Sequence, residues 1–126
     1  MRKYFGACHR KRGELRRILM IDIEHLKKYY KKEQMIISRH ALQQSNKRGI
    51  SLAEIRECIM NGEIIEQYPD DFPFPSCLVY GKSASERVLH VVVSEETVNG
   101  RIITAYVPNT TIFKSDLKTR REKDEM

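Results

Sequence analysis

The sequence predicts an α+β fold in which two to three N-terminal helices pack on one face of a four-stranded, mainly antiparallel sheet. Three observations support this prediction. Apolar residues recur at helical spacing, between helix-capping residues, only in the first half of the chain. Runs rich in β-branched residues follow between residues 63 and 107. Proline and Asn-Gly turn signals divide these runs into short strands.

The first two helices are predicted from their periodicity and their end signals. Residues 22–32 place isoleucine, leucine and tyrosine side chains along one stripe, with lysines mostly on the other side. The second helix is expected to begin at Ser38, a favourable N-cap. It is expected to stop at Gly49, which suits the left-handed position after a helix end.

The third helix has the clearest start signal in the chain. Ser51 and Glu54 form a capping box, and Ile50 and Ile55 occupy the two positions of a hydrophobic staple. The Asn-Gly pair at residues 61 and 62 is a C-terminal stop signal.

Four strands and one short helix are predicted after the third helix. The short helix is amphipathic and is expected around Ile112, Phe113 and Leu117. The four strands are Glu63–Tyr68, Cys77–Gly81, Val88–Ser94 and Arg101–Val107.

Two connections between these strands carry specific signals. The loop at residues 69–76 contains three prolines and two aspartates, so it is expected to be ordered but irregular. Its Phe72 and Phe74 side chains either plug the edge of the core or form a docking or base-stacking surface, and the first interpretation is favoured. Asn99 and Gly100 are a strong signal for a two-residue hairpin turn.

A single domain is expected from residue 20 to residue 121, followed by a charged tail at 122–126. The chain has 126 residues and a net charge of +6. That excess lies entirely in residues 1–19, because residues 20–126 contain sixteen basic and sixteen acidic side chains. The domain itself is neutral, so its charge alone does not predict nucleic-acid binding.

The basic head, residues 1–19, is expected to be either a disordered arm or the product of a mis-annotated start. The second interpretation is favoured, since Arg16 and Arg17 could be encoded by AGG-AGG, a ribosome-binding sequence, shortly before Met20. The head has no apolar run typical of a signal peptide or a membrane span, so no membrane partner is expected.

The cysteines indicate neither a metal site nor a disulfide framework. Cys8, Cys58 and Cys77 are odd in number, far apart and in no C-x-x-C spacing. Cys58 and Cys77 fall on apolar segments and are predicted to be small buried side chains. Without an export signal, the expected compartment is the cytoplasm.

The second predicted helix carries the first group of candidate functional residues. His40 and Arg48 are eight residues apart, so they share roughly one face of the helix with Gln44 between them. Lys47 and Arg48 are also explained as cations at a helix C-terminus. His40 is either functional or a hydrogen-bonding residue of the first helical turn.

His90 is the second candidate, because it is the only polar residue between Val88 and Val93, in a strand that is otherwise strongly apolar. It either makes a satisfied hydrogen bond in the core, which is somewhat favoured, or projects into a cleft on the open sheet face. Burial would lower its pKa and favour the neutral imidazole, which suits a general base. A two-residue turn would put Tyr106 and His90 on opposite faces, unless a bulge or a longer loop shifts the register.

The sequence from about Met20 to Arg121 resembles a bacterial family described as a domain of unknown function of the DUF4258 type. A phenylalanine at position 113 replaces a tryptophan that members often carry after the last strand. The blocks that carry the resemblance are His40-Ala41, Arg48-Gly49-Ile50, Gly62-Glu63, Tyr68-Pro69-x-Asp71, Pro73-x-Pro75-Ser76, Leu89-His90-Val91-Val92 and Thr104-x-Tyr106-x-Pro108.

This resemblance implies a distant similarity to RelE-like and barnase-like toxin ribonucleases. The implied function is the toxin of a toxin–antitoxin pair, a metal-independent endoribonuclease without cofactors that acts on mRNA. The implied partners are a zinc-binding, helix-turn-helix antitoxin and RNA or the ribosome. The alternative is a non-catalytic protein-binding module of the same fold.

The ribonuclease interpretation assigns roles to eight side chains. A histidine acts as base or acid, arginines clamp the phosphate, and a tyrosine donates a proton or stacks on a base. The catalytic candidates are His40, Arg48, His90 and Tyr106, and the substrate-binding candidates are Arg39, Lys47, Thr104 and Arg120.

Overall fold

The structure is a computed structural model that describes residues 20–109 and 116–120. The predicted α+β class is confirmed, with three helices and five strands. The helices are α1 (Ile23–Lys31), α2 (Arg39–Lys47) and α3 (Leu52–Asn61). The strands are β1 (Met35–Ile37), β2 (Glu63–Tyr68), β3 (Ser76–Lys82), β4 (Val88–Glu95) and β5 (Gly100–Tyr106).

The sheet has one strand more than the four predicted. Its order is β1-β5-β4-β3-β2, with β1 parallel to β5 and the other neighbours antiparallel. The sheet is therefore mixed, which corrects the four-stranded prediction. The extra strand β1 is only three residues long, too short for a strand period to emerge, and its partner lies 65 positions later in the sequence.

The helix caps are confirmed where they were predicted. Ser38 accepts a hydrogen bond from the backbone N–H of Ala41 at 3.1 Å. Ser51 and Glu54 form the complete capping box, with both reciprocal hydrogen bonds present. Gly49 has a φ of +70°, the left-handed conformation that its position after α2 required.

The core lies between the helices and one face of the sheet. Leu26 of α1 and the apolar face of α3 pack on alternate residues of β3, β4 and β5. Cys58 and Cys77 are completely buried there, as predicted, and burial raises the pKa of each thiol to about 12. These thiols are packing groups at neutral pH because they remain protonated. Among the described residues, no helix is long and apolar enough to cross a bilayer.

Two glycines allow the end of α3 to lie directly on β3. A Cβ atom on Gly62 would be 2.3 Å from the carbonyl oxygen of Cys58 and 2.4 Å from that of Tyr80. A Cβ atom on Gly81 would be 2.1 Å from the same Cys58 oxygen. Gly62 has a φ of −105°, so it ends α3 through this close approach and not through the left-handed conformation that a stop glycine usually adopts.

The β4–β5 hairpin has a longer loop than the two-residue turn predicted. Glu95 and Gly100 are paired, and the N–H of Glu96 donates to the carbonyl of Asn99 at 2.8 Å, so residues 96–99 form the loop. The register also shifts between Val92 and Val93. The loop and this bulge together change which residues face each other across the two strands.

The two predictions for irregular segments have different outcomes. Phe72 is 94% exposed, so it does not plug the core, whereas Phe74 is half-buried. Most of the predicted C-terminal helix, residues 110–115, lies outside the described residues, as do the basic head and residues 121–126. The described segment Asp116–Arg120 is a turn and not a helix.

Candidate functional site on the open face of the sheet

The face of the sheet opposite the helices, here called the open face, carries a row of three rings. His90 of β4 is paired with Tyr80 of β3 on one side and with Tyr106 of β5 on the other. The ring centroids lie 6.1 Å apart for Tyr80 and His90, and 5.4 Å apart for His90 and Tyr106, in edge-to-face arrangements. The longer loop and the bulge therefore bring His90 and Tyr106 together, against the expectation for a two-residue turn.

The hydrogen bonds of His90 define its tautomer. Its Nε2 lies 2.6 Å from the main-chain carbonyl oxygen of Leu117, which can only accept, so Nε2 carries a hydrogen and donates it. Its Nδ1 lies 3.3 Å from the Tyr106 hydroxyl. In the neutral imidazole, Nδ1 accepts from that hydroxyl.

Burial shifts the pKa values of both partners. Burial lowers the pKa of His90 below its usual value, while the Leu117 carbonyl and the Glu66 carboxylate oppose the shift and Arg120 adds to it. Burial also raises the pKa of Tyr106, which therefore keeps its hydroxyl proton at neutral pH. The favoured pair at neutral pH is a neutral imidazole beside a neutral phenol.

A carboxylate and a guanidinium complete this group of residues. Arg120 donates from Nε and Nη2 to the two carboxylate oxygens of Glu66, at 3.0 and 3.1 Å. Tyr68 donates its hydroxyl to the same carboxylate. Glu66 and Arg120 both influence the pKa values of His90 and Tyr106, so the five residues share one electrostatic environment. We call His90, Tyr106, Glu66, Tyr68 and Arg120 the polar cluster.

The segment Asp116–Arg120, here called the C-terminal cover, lies across this face. Lys118 places its Nζ 4.7 Å from the ring centroid of Tyr80 and 3.4 Å from a carboxylate oxygen of Glu63. The cover supplies the Leu117 carbonyl that His90 contacts, and also Arg120. His90 is completely buried as a result of its position on the sheet and beneath this segment.

Arg48 and Thr104 meet at the edge of β5. Nη1 of Arg48 donates to the Thr104 hydroxyl at 3.0 Å and to the carbonyl of Ala105 at 2.9 Å. Thr104 is two residues from Tyr106 on the same strand, so this pair borders the polar cluster. Arg48 thus reaches the end of β5 that carries Tyr106, the partner of His90.

The remaining sequence candidates lie on α2 away from this end. His40 and Arg39 occupy the first turn and are exposed, and Lys47 is exposed in the last turn. Eight residues of helix separate His40 from Arg48, a rise of about 12 Å. None of the contacts among the described residues joins His40 to His90. The roles assigned to these three residues stay predictions.

The other end of the open face contains a cleft of about 390 Å³. Val92 and Ser94 of β4, next to His90 along the strand, form its floor. The exposed Phe72 and the half-buried Phe74 form one wall. The cleft is therefore continuous with the strand that carries His90.

The open face around His90 carries three residues that sequence reasoning missed. Glu66, Tyr68 and Tyr80 were assigned only to predicted strands, because polar residues on a strand usually face solvent. The signal that could have found Glu66 is its two-residue spacing from Tyr68, which places both on one face of β2.

The pKa shift of His90 leads to a prediction about stability. Because the folded-state pKa is lower than the unfolded value of 6.5, the folded protein binds fewer protons in the window below that value. The free energy of unfolding is therefore expected to fall as the pH drops below about 6.5, by at most about 1.4 kcal/mol per pH unit from this group. Urea unfolding between about pH 7 and pH 5 should give a shallower slope for His90→Gln than for the wild type.

The control for this measurement is His40→Gln, which removes an exposed histidine outside the polar cluster, and His90→Gln should differ from the wild type more than this variant does. Equal slopes for His90→Gln and the wild type would contradict the shift.

One comparison with known proteins gives a match. The family described as "Domain of unknown function (DUF4258)" matches residues 37–107, which run from the last residue of β1 through α2, α3 and the four following strands. The matched range includes His90, Tyr106 and Glu66 but ends before the C-terminal cover. No curated protein and no solved structure gives a significant match, so the implied similarity to RelE-like ribonucleases stays an expectation. Since the match covers more than half of the chain, the protein belongs to the DUF4258 family.

Proposed function

We propose that the protein is a metal-independent endoribonuclease whose active site is the polar cluster. The observation that supports this proposal most is the pairing of His90 with Tyr106 beside the Glu66–Arg120 ion pair on one sheet face. This set combines groups that transfer protons with a cation suited to a phosphate. The proposed setting is the cytoplasm, as one component of a toxin–antitoxin pair.

The proposed reaction is the attack of an RNA 2′-hydroxyl on its own phosphodiester. The 2′-oxygen forms a bond to phosphorus, the bond to the 5′-oxygen breaks, and the products are a 2′,3′-cyclic phosphate and a 5′-hydroxyl. One group must remove the 2′-hydroxyl proton and another must protonate the 5′-oxygen. Each such proton transfer typically contributes about 100- to 10,000-fold to the rate.

His90 is proposed to transfer protons through Nε2. The Tyr106 hydroxyl can either donate to Nδ1 or accept from it, so it can stabilise both neutral tautomers of the ring. His90 can therefore present a lone pair at Nε2, as a base requires, once that atom is free of the Leu117 carbonyl. The second proton transfer is assigned to Tyr106, which contacts His90, or to Glu66 in the same cluster, and single variants of each distinguish them.

Arg120 is proposed to bind the scissile phosphate. Its guanidinium already makes a two-pronged contact with a carboxylate, and a phosphate offers the same geometry. Arg48 at the edge of β5 is a second cation within the same end of the face.

A specific observation favours the alternative function, a protein-binding module. Phe72 is 94% exposed and Ile103 is 45% exposed, and both line the cleft beside the polar cluster. Exposed apolar side chains around a cleft are typical of contact surfaces for other proteins. An antitoxin would be the proposed partner on this alternative.

The experiment that distinguishes these functions is a cleavage assay with the purified protein and a short RNA. The expected products are fragments that end in a 2′,3′-cyclic phosphate, detected by mass spectrometry. The control substrate carries a single 2′-deoxynucleotide at the cleaved position and should remain intact, because the nucleophile is missing. Absence of cleavage by both the wild type and the Lys118→Glu variant described below would overturn the proposed function and favour the binding module.

A further inference from the structure

The C-terminal cover contacts the atom of the proposed site that would transfer protons. His90 is 0% exposed, and its Nε2 is already bonded to the Leu117 carbonyl at 2.6 Å. A carbonyl oxygen in this position accepts the same hydrogen that a substrate oxygen would accept. Substrate cannot reach Nε2 while the cover is in place.

The cover is a locally organised unit. The Asp116 carboxylate accepts hydrogen bonds from the N–H groups of Lys118 and Thr119, both at 3.0 Å, and from the Thr119 hydroxyl at 2.9 Å. These hydrogen bonds, those from the two N–H groups first, lower the pKa of Asp116 to about 2, so the carboxylate is charged at neutral pH. The turn can therefore persist when the segment leaves the sheet.

Besides the hydrogen bond between His90 and Leu117, two ion pairs that solvent can reach hold the cover on the sheet. Lys118 pairs with Glu63, and Arg120 pairs with Glu66, and in both pairs at least one side chain is half exposed or more. Ion pairs exposed to this degree weaken as the salt concentration rises, and the single contact of Lys118 contributes less than the two-pronged contact of Arg120. Leu117 also has a φ of +60°, a conformation that is unfavourable for a residue with a side chain.

We propose that the C-terminal cover, Asp116–Arg120, inhibits the site and that the phosphates of an RNA substrate displace it. This regulatory role rests on the proposed function. Lys118 and Arg120 hold the cover on the sheet, and both are cations of the kind that binds phosphodiesters. A polyanion therefore competes directly with Glu63 and Glu66 for them. Displacement moves the Leu117 carbonyl away from Nε2 of His90, while Arg120 exchanges Glu66 for the phosphate and so keeps the end of the segment at the site.

Chemical labelling of His90 tests whether the cover blocks this residue, and the labelling does not depend on catalysis. Diethyl pyrocarbonate modifies accessible imidazole nitrogens, and peptide mapping assigns the modified histidines. In the wild type, the exposed His25 and His40 should be modified much faster than His90. Lys118→Glu places a negative charge beside Glu63 and should raise the modification rate of His90 about threefold to tenfold.

The matched control is the double variant Glu63→Lys with Lys118→Glu, which restores an ion pair of reversed polarity. Modification of His90 should return towards the wild-type rate in this variant. The buried thiols of Cys58 and Cys77 report on global unfolding, and they should stay unreactive in both variants.

If the variants unfold, a second measurement on the wild type tests whether the cover protects His90. In the wild type, raising the salt concentration to about 1 M screens both ion pairs and should increase His90 modification relative to His25 and His40. Labelling of His90 that is as fast as that of His25 in the wild type at low salt would overturn the proposal. Labelling that responds neither to Lys118→Glu nor to salt would also overturn it.

The RNA cleavage rate distinguishes failure of the inhibition proposal from failure of the ribonuclease proposal. Lys118→Glu is expected to cleave RNA about threefold to tenfold faster than the wild type, in proportion to the gain in labelling. Increased labelling without any cleavage would support a movable cover but refute the ribonuclease. Cleavage at an unchanged rate despite increased labelling would refute autoinhibition while the ribonuclease proposal stands.

Discussion

Replacing His90 with glutamine is expected to lower the rate of RNA cleavage by about 100- to 10,000-fold, the range of a lost acid or base. Glutamine keeps an N–H group that can donate to the Leu117 carbonyl and an oxygen that can accept from Tyr106. The fold is therefore expected to survive, while the group that exchanges protons near neutral pH is lost. The measurement is a single-turnover cleavage assay beside a urea unfolding curve.

Three further variants show whether the effect belongs to the polar cluster. His25→Gln removes a histidine outside the cluster and should leave cleavage unchanged. Tyr106→Phe keeps the ring but loses the hydroxyl. A reduction of about tenfold is expected where that hydroxyl only orients His90, and one of about 100-fold or more where it also makes the second proton transfer. His40→Gln decides between the two histidines named from the sequence. A large loss of cleavage in His40→Gln, with none in His90→Gln, would contradict the site proposed on the open face.

The sequence predicts those parts of the fold that depend on neighbouring residues. The caps at Ser38 and Ser51 and the turn at Gly49 were predictable because each uses hydrogen bonds or backbone angles within a few positions. The strand β1 was missed because a three-residue segment has no measurable period, and it is a strand only through its pairing with β5. Such pairing depends on contacts between distant parts of the chain.

The sequence predicted several residues of the candidate site, but it did not predict how they are arranged. His90, Tyr106 and Arg120 were named from the sequence, and the structure places all three in the polar cluster. Their convergence was not predictable, because it depends on the four-residue loop and on the bulge at Val92. A one-position change in register moves a side chain to the other face of a sheet, so local signals cannot decide this point. Glu66 was missed for the same reason, since its partner Arg120 lies 54 positions away.

Replacing Gly81 with alanine is expected to lower the free energy of unfolding strongly, because α3 lies so close to β3 at this residue. In Gly81→Ala the new Cβ would lie 2.1 Å from the carbonyl oxygen of Cys58 and 2.8 Å from its carbonyl carbon. Both atoms belong to the helix backbone and cannot rotate away, so α3 must shift off β3 and disturb the core around Ile59. We expect a loss of about 3 kcal/mol or more in the free energy of unfolding, and a melting temperature lower by about 12 °C or more.

Gly49→Ala is the matched control, because it makes the same chemical change where space is open. No atom lies within 4 Å of a Cβ at this position, but its φ of +70° is unfavourable for alanine. The expected loss is about 1 kcal/mol, due to backbone conformation alone. Urea and thermal unfolding of both variants separate a steric cause from a conformational one. If Gly81→Ala is destabilised no more than Gly49→Ala, then α3 does not lie on β3 as closely as described, and Gly81 is exchangeable.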